Sequence, residues 1–324
     1  MNPTCSSLSH AIGACILAIG LLVHPALAQT PTGGDSPPPE ASPSFPRVRF
    51  HGFVQTHYRH AFETGDDGVF DAPNFRVQRV RLGAKGDLHP WLSYEVDIDP
   101  RAPNITGVLR DAFLAVTVIP RHELRMGQQK TQFGYENRES SSDLFAVNRT
   151  ELSDALSRGV NLRDIGVGLI GNIRLGTGWR IEDAITVVNG DGMNVQADST
   201  RRKNVWGRAG LRYRQDRTDL TVRVGVSGAS GDGMAEGIDP LDPADDYRQA
   251  FTRTGTDVQI DHRHVLLTAE YVRGANDNTV TGEGEDLSGY YVNLVGKTRW
   301  RVGPILRLDK IGRASCRERV SPRV

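Results

Sequence analysis

Cysteine is nearly missing. Cys5 and Cys15 lie in an apolar N-terminal segment and Cys316 in a terminal tail, so the body of the chain has none. This excludes a disulfide framework and a thiolate metal site. Long apolar runs are equally scarce: beyond the N-terminus no stretch of 18 or more apolar residues occurs, which excludes a helical membrane span. It does not exclude a membrane β-barrel, whose strands need an apolar residue only at every second position. An excess of either charge is lacking as well, with 39 basic and 39 acidic residues. Residues 310–324 hold five of the basic groups and one acid, leaving 34 against 38, or −4, for the rest. A mildly acidic body offers no basic face, so no nucleic-acid partner is expected.

The N-terminus reads as an export signal over residues 1–28. Ala11–Val23 is apolar and Ala26-Leu27-Ala28 forms an A-x-A cleavage site before Gln29, although the n-region has no Lys or Arg. Residues 29–46 carry six prolines with Gly and Ser and read as a Pro-rich linker.

From Arg47 the pattern turns to alternation of period two. About thirteen strand segments follow, at 47–61, 74–86, 91–99, 109–119, 122–133, 164–175, 179–189, 203–214, 218–228, 254–261, 264–273, 288–302 and from 304. Their connections alternate between tight turns and long polar loops. The tight ones include Pro120-Arg121 and Gly176-Thr177-Gly178; the long ones are 62–73, 100–108, 134–162, 190–202, 229–253 and 274–287. Outer-membrane barrels sort short periplasmic turns from long external loops in this way. The expected fold is an all-β, antiparallel transmembrane β-barrel over residues 47–309. Aromatics on the apolar parity support it: Tyr94, Trp179, Tyr213 and Trp300 near short turns, Tyr58, Tyr271 and Tyr290 near long loops, as two interfacial girdles require.

The longest connection, Gly134–Leu162, has 29 residues and few strand formers. A loop of that length in a compact chain is functional or evidence against the strand assignment. Here it is the third external loop, expected to fold into the lumen and set the pore's width. Asp154-Ala155-Leu156 and Leu144-Phe145-Ala146 are expected to form short helical turns that pin it. Its charged side chains are Arg138, Arg149 and Arg158 against Glu136, Glu139, Asp143, Glu151 and Asp154, a balance of −2.

On the inferred lumen parity lie Arg79, Arg81, Lys85, Arg208, Arg212, Arg214, Arg223, Arg299 and Arg301. Opposing them are Glu95, Asp97, Asp99, Asp111, Asp164, Glu182, Asp257 and Glu270. A basic ladder facing an acidic one would place a transverse field across the pore; the plain alternative is a set of lumen residues paired with one another. Enzyme signatures are weak. His51, His57 and His60 share one strand and His262 and His264 flank Arg263, with no carboxylate or cysteine at metal-ligand spacing. Asn189-Gly190-Asp191-Gly192 and the Asp239–Asp246 segment follow no EF-hand pattern, and neither a G-x-S-x-G elbow nor a P-loop occurs. No catalytic residue, metal or cofactor is expected.

The segments Phe75–Asp99, Leu109–Phe113 and Leu124–Gly134 (LRMGQQKTQFG), with Ser140–Asp143, Glu151–Gly171 (ELSDALSRGVNLRDIGVGLIG) and Ala184–Asn194, resemble the phosphate-selective porin O/P family over residues 47–309. The carrying pattern is a GQ-x-K-x-x-FG strand, a long loop, then RDIGV. The resemblance implies about sixteen strands when complete, an inward-folded third loop, diffusion of small anions such as phosphate, an outer-membrane lipid setting and a homotrimer. Lys130 matches the family's GQ-x-K position and points toward the third loop, although Leu124 and Met126 in its register look lipid-facing. The loop's −2 balance departs from the cation-rich constriction that desolvated phosphate would need. Rival readings are a porin for sugars, dicarboxylates or general solutes, a barrel hydrolase, and a secreted β-solenoid or sandwich.

Alternation stops at Asp309. Lys310–Val320 (KIGRASCRERV) resembles the translated read-through of a common DNA-sequencing adapter. On that reading residues 310–324 are an artefact that packs against nothing, and the true protein continues beyond Asp309.

Overall fold

The computed structural model describes residues 45–59, 73–102, 107–157, 163–196, 202–235, 247–278, 283–299 and 303–318. The export signal, most of the linker, His60, Arg158, Trp300 and Arg301 lie outside them.

Thirteen strands run in chain order through one antiparallel sheet. They are β1 Arg47–Arg59, β2 Asn74–His89, β3 Leu92–Ile98, β4 Leu109–Ile119 and β5 His122–Lys130. After the third loop come β6 Arg163–Arg174, β7 Trp179–Val188, β8 Asn204–Gln215 and β9 Leu220–Ala235. Last are β10 Tyr247–Asp261, β11 Val265–Asn278, β12 Glu283–Gly296 and β13 Ile305–Glu318. Consecutive antiparallel strands send successive connections to opposite ends, so the tight turns share one end and the third loop lies at the other. Among the described residues no ladder joins β13 to β1, and the sheet is not closed.

The two faces are inverted relative to a water-soluble protein. Phe50, Phe75, Met126 and Leu306 are 84%, 87%, 70% and 72% exposed, and Val54, Leu114, Ile185, Val226 and Leu294 also point outward. The inner face instead buries Arg81, Asp99, Asp111, Arg208, Asp257 and Glu270. An apolar belt of this extent needs lipid against it. A sandwich or solenoid would bury those side chains between layers, and only one sheet is present. Trp179 and Tyr213 meet as tilted rings 4.7 Å apart near the short turns, and Tyr58 and Phe75 as tilted rings 4.9 Å apart near the long loops. These are the places where amphipathic rings meet headgroups.

Three expectations are corrected. The outer ends of β9 to β12 run further than their composition suggested, so the loop expected at 274–287 shrinks to 279–282. The following turn, expected at Gly303-Pro304, opens to 297–304, and loop lengths there no longer alternate. Tyr271 and Tyr290 consequently pair with each other in mid-strand. Finally, residues 310–318 do not hang free, because β13 pairs with β12 as far as Glu283↔Glu318. The free edge of β12 offers backbone N–H and C=O groups that accept any extended segment whatever its side chains.

Candidate functional site

The third loop occupies the interior and is tied to strands from both ends of the sheet. It leaves β5 with Phe133 fully buried, edge-on to Trp206 at 5.9 Å, while Trp206 lies tilted against Phe251 at 5.2 Å. The backbone then turns at Gly134, with φ 65°, in the left-handed region that glycine enters without steric cost. The Gly134 N–H donates to Ser227 Oγ at 2.9 Å. Those of Tyr135 and Glu136 donate to Glu270 Oε2 at 3.2 and 3.4 Å, and the Tyr291 hydroxyl donates to the same oxygen at 3.3 Å.

The loop's return arm is fixed just as firmly. Glu136 Oε2 accepts from the Thr150 N–H at 2.9 Å, its hydroxyl at 2.8 Å and the Ser153 hydroxyl at 2.6 Å. Ser153–Ser157 forms a π-helical turn that places Leu152 and Leu156 in an apolar cluster with Phe133, Val188, Trp206, Val272, Leu287 and Tyr291. The expected turn at 154–156 is therefore present. Leu144-Phe145-Ala146 is not helical and Phe145 stays exposed; Val147 is buried in its place. From β1 and β2, Gln55 donates to the Ser141 carbonyl at 2.7 Å and Arg79 to that of Val147. From β13, Arg307 donates to the Asn148 and Arg149 carbonyls at 3.0 and 3.1 Å, and Asp309 accepts from the Glu151 and Leu152 N–H groups. A loop bonded to the first, second and last strands at once crosses the lumen.

The wall cations fall into two groups. In the first, carboxylates neutralise them: Arg208 Nε and Nη2 lie 2.8 and 2.6 Å from Asp257, with both side chains at most 1% exposed. Arg81 is bonded to Asp99, and Arg163 is bidentate to Asp111 at 3.0 and 2.6 Å. Arg223 lies 3.6 Å from Glu182. The second group makes hydrogen bonds to neutral oxygens. Lys130 Nζ and Arg149 Nη2 donate to one carbonyl, that of Glu139, at 2.6 and 3.0 Å, and Arg149 also reaches the Glu136 carbonyl at 2.9 Å. Arg138 Nε donates to Gln132 Oε1 at 2.9 Å, and Arg79 to Gln55 Oε1 at 3.0 Å.

Lys130 thus faces inward although Leu124 and Met126 at its parity are exposed. Between Met126 and Lys130 sits Gly127 at φ 134°, and the pairing with β4 and β6 runs through it without a register shift. Lys85 stands opposite Glu95 in the β2–β3 ladder, and Arg212 is on β8 opposite Arg223 of β9. Arg299 was expected on a strand; β12 ends at Gly296, and Arg299 is exposed in the 297–304 connection. Glu136, Asp309 and Arg307, which clamp the loop, were not singled out as site residues. Arg307 and Asp309 alternate with the exposed Leu306 and Leu308, a signal visible in the sequence.

Beside the loop a cavity of about 480 Å³ remains open. Its charged lining is Arg121, Arg138 and Arg223 against Glu123, Glu139 and Glu182, with Tyr135 and His122. Burial pushes the Glu139 carboxyl above its ordinary value, opposed by the nearby Arg223. Burial likewise lowers the Arg138 guanidinium, helped by Arg208.

A polar interior inside an apolar belt, narrowed by a loop folded across it, defines an outer-membrane β-barrel pore. Its place is the bacterial outer membrane. The family model for phosphate-selective porin O and P matches residues 48–285, well over half of the chain, and the chain belongs to that family. No curated protein matches it. Solved structures similar to it include in-vitro folded OmpT, an outer membrane protein of Vibrio cholerae in its trimer form. That pair shares 15% identity, covers 85% of this chain and 95% of the other, and has a TM-score of 0.43. A loop L8 deletion mutant of OmpT gives 14%, 81%, 97% and 0.38 for the same quantities.

Proposed function

We propose that the chain is a passive, non-enzymatic diffusion pore for small anions such as phosphate, working as a homotrimer. The observation that carries this reading is the pair of cations, Lys130 and Arg149, converging on one backbone carbonyl of the loop. A carbonyl satisfies the Lys130 ammonium, and with Arg149 donating to the same oxygen the constriction presents two cations to a passing anion. Arg79 and Arg138, also held by neutral oxygens, extend the same surface. Arg81 and Arg208 serve the wall instead, each bonded to a carboxylate. Arg223 and Lys85 face acids and contribute less; Arg299, on the 297–304 connection, carries no weight in the constriction.

The cavity lining has as many glutamates as arginines. That balance favours a modest anion preference over strict selection of phosphate. The test is reversal-potential measurement on the full chain in planar bilayers, under phosphate and chloride gradients. Substituting Lys130→Met and Arg149→Met together should move selectivity toward cations in both salts. Unchanged reversal potentials would leave a neutral sieve.

A further inference from the structure

The lumen wall of β1 to β3 carries a cluster that anion passage does not use. His51 on β1 pairs with Gly83 on β2, and Gly83 pairs with Asp97 on β3. With no side chain on the middle strand, imidazole and carboxylate meet over it, His51 Nε2 lying 2.8 Å from Asp97 Oδ1. A methyl group at Gly83 would collide with both. Glu95, two residues from Asp97 and so on the same face, completes the group. One donor atom from each of the three lies within 4.8 Å of the others.

Neighbouring acids are committed elsewhere: Asp99 to Arg81 and Arg110, Asp111 to Arg163. Among the described residues, Glu95 and Asp97 make no ion pair with an arginine. Along the sequence no histidine has a carboxylate at ligand spacing; the sheet register brings His51 two of them.

We propose that His51, Glu95 and Asp97 bind a divalent transition-metal ion, of the zinc class, in the wall of the pore. One imidazole nitrogen with two carboxylate oxygens suits zinc better than calcium or magnesium, which take oxygen donors. The three donors draw in to metal–ligand distances of about 2.1 Å, and water from the lumen fills the remaining positions. The ion's two charges cancel those of the carboxylates. Lys85, opposite Glu95 in the ladder, competes with it. Building on the anion-pore reading, an occupied site removes a negative patch from the wall and raises anion preference.

Calorimetric titration of the folded full chain in detergent with zinc chloride tests the site without reference to transport. One ion should bind per chain. His51→Ala and Asp97→Asn should each weaken binding at least tenfold, Lys85→Met should tighten it, and His57→Ala, on the same strand, should leave it unchanged. Circular dichroism checks that each variant keeps its strands. No saturable binding, or equal affinity in wild type, His51→Ala and Asp97→Asn, would overturn the site. In bilayers, micromolar zinc should raise phosphate-over-potassium permeability in wild type and not in His51→Ala. Binding without that shift would count against the anion-pore reading and leave the metal site standing.

Discussion

Arg208 and Lys130 both project into the lumen, and their surroundings give them opposite uses. Arg208 is sealed against Asp257 by two bonds, whereas Lys130 meets a backbone carbonyl. A carboxylate partner removes the cation's field; a carbonyl partner holds the side chain and leaves the field in place. Counting lumen arginines therefore overstates the charge a solute meets. What matters is the partner of each, and the third loop supplies neutral ones.

The largest effect that would separate the two regions is on stability. Arg208→Ala strands a fully buried Asp257 and should cost about 3–5 kcal/mol, because the remaining charge is uncompensated. Urea unfolding in lipid vesicles measures it. Arg208→Met with Asp257→Leu should restore most of the loss, and open-channel selectivity should scarcely change.

Leu152→Ala comes next. Leu152 is fully buried in the cluster that pins the loop, and such a truncation costs about 2–5 kcal/mol. The strands have their own ladders, so the loss should fall on the loop. Single-channel current should become larger and noisier while the barrel survives. A quiet trace of wild-type size would show that the polar bonds hold the loop alone.

Lys130→Met removes a charge whose hydrogen bond runs to a backbone carbonyl. At about 4 Å from a passing ion, a unit charge in watery surroundings contributes about 1 kcal/mol, or roughly a fivefold change in permeability ratio. The change should shrink near 1 M salt, where the screening length falls to about 3 Å. Arg81→Met combined with Asp99→Asn, which removes both charges of a bonded pair, should not weaken anion preference in this way.

Glu139→Gln should have the smallest effect, and the opposite sign. The carboxyl's raised pKa means that it protonates at a higher pH than an ordinary glutamate. Anion preference in wild type should therefore climb as pH falls toward the ordinary glutamate range. Glu139→Gln should already show the higher preference at pH 7 and lose that part of the pH response. Reversal potentials taken across a pH series decide it.

Much of the barrel was legible because a strand between lipid and water must alternate. Leu220, Val222, Val224 and Val226 against Thr221, Arg223, Gly225 and Ser227 state both faces without any knowledge of neighbours. The third loop was legible for the converse reason: a long polar stretch cannot continue the sheet. The outer ends of β9 to β12 were not. Segments such as Gly228–Ala235 are poor in strand formers, yet they pair because an adjacent strand offers its backbone, and ladder bonds are indifferent to side-chain type.

The sequence by itself determined the thirteen-strand alternation, the inward face of Arg81, Asp99, Arg208 and Asp257 and the place of the loop, since each follows from residues a few positions apart. Only the tertiary structure decided which cation meets which partner. Arg208 and Asp257 lie 49 positions apart, and Lys130 meets the Glu139 carbonyl only because the third loop folds back over it. His51 meets Asp97 only because the register lines up three strands with a glycine between them. Periodicity fixes the face a side chain points to, while charge pairing depends on distances of a few ångströms set by register, which no local pattern encodes.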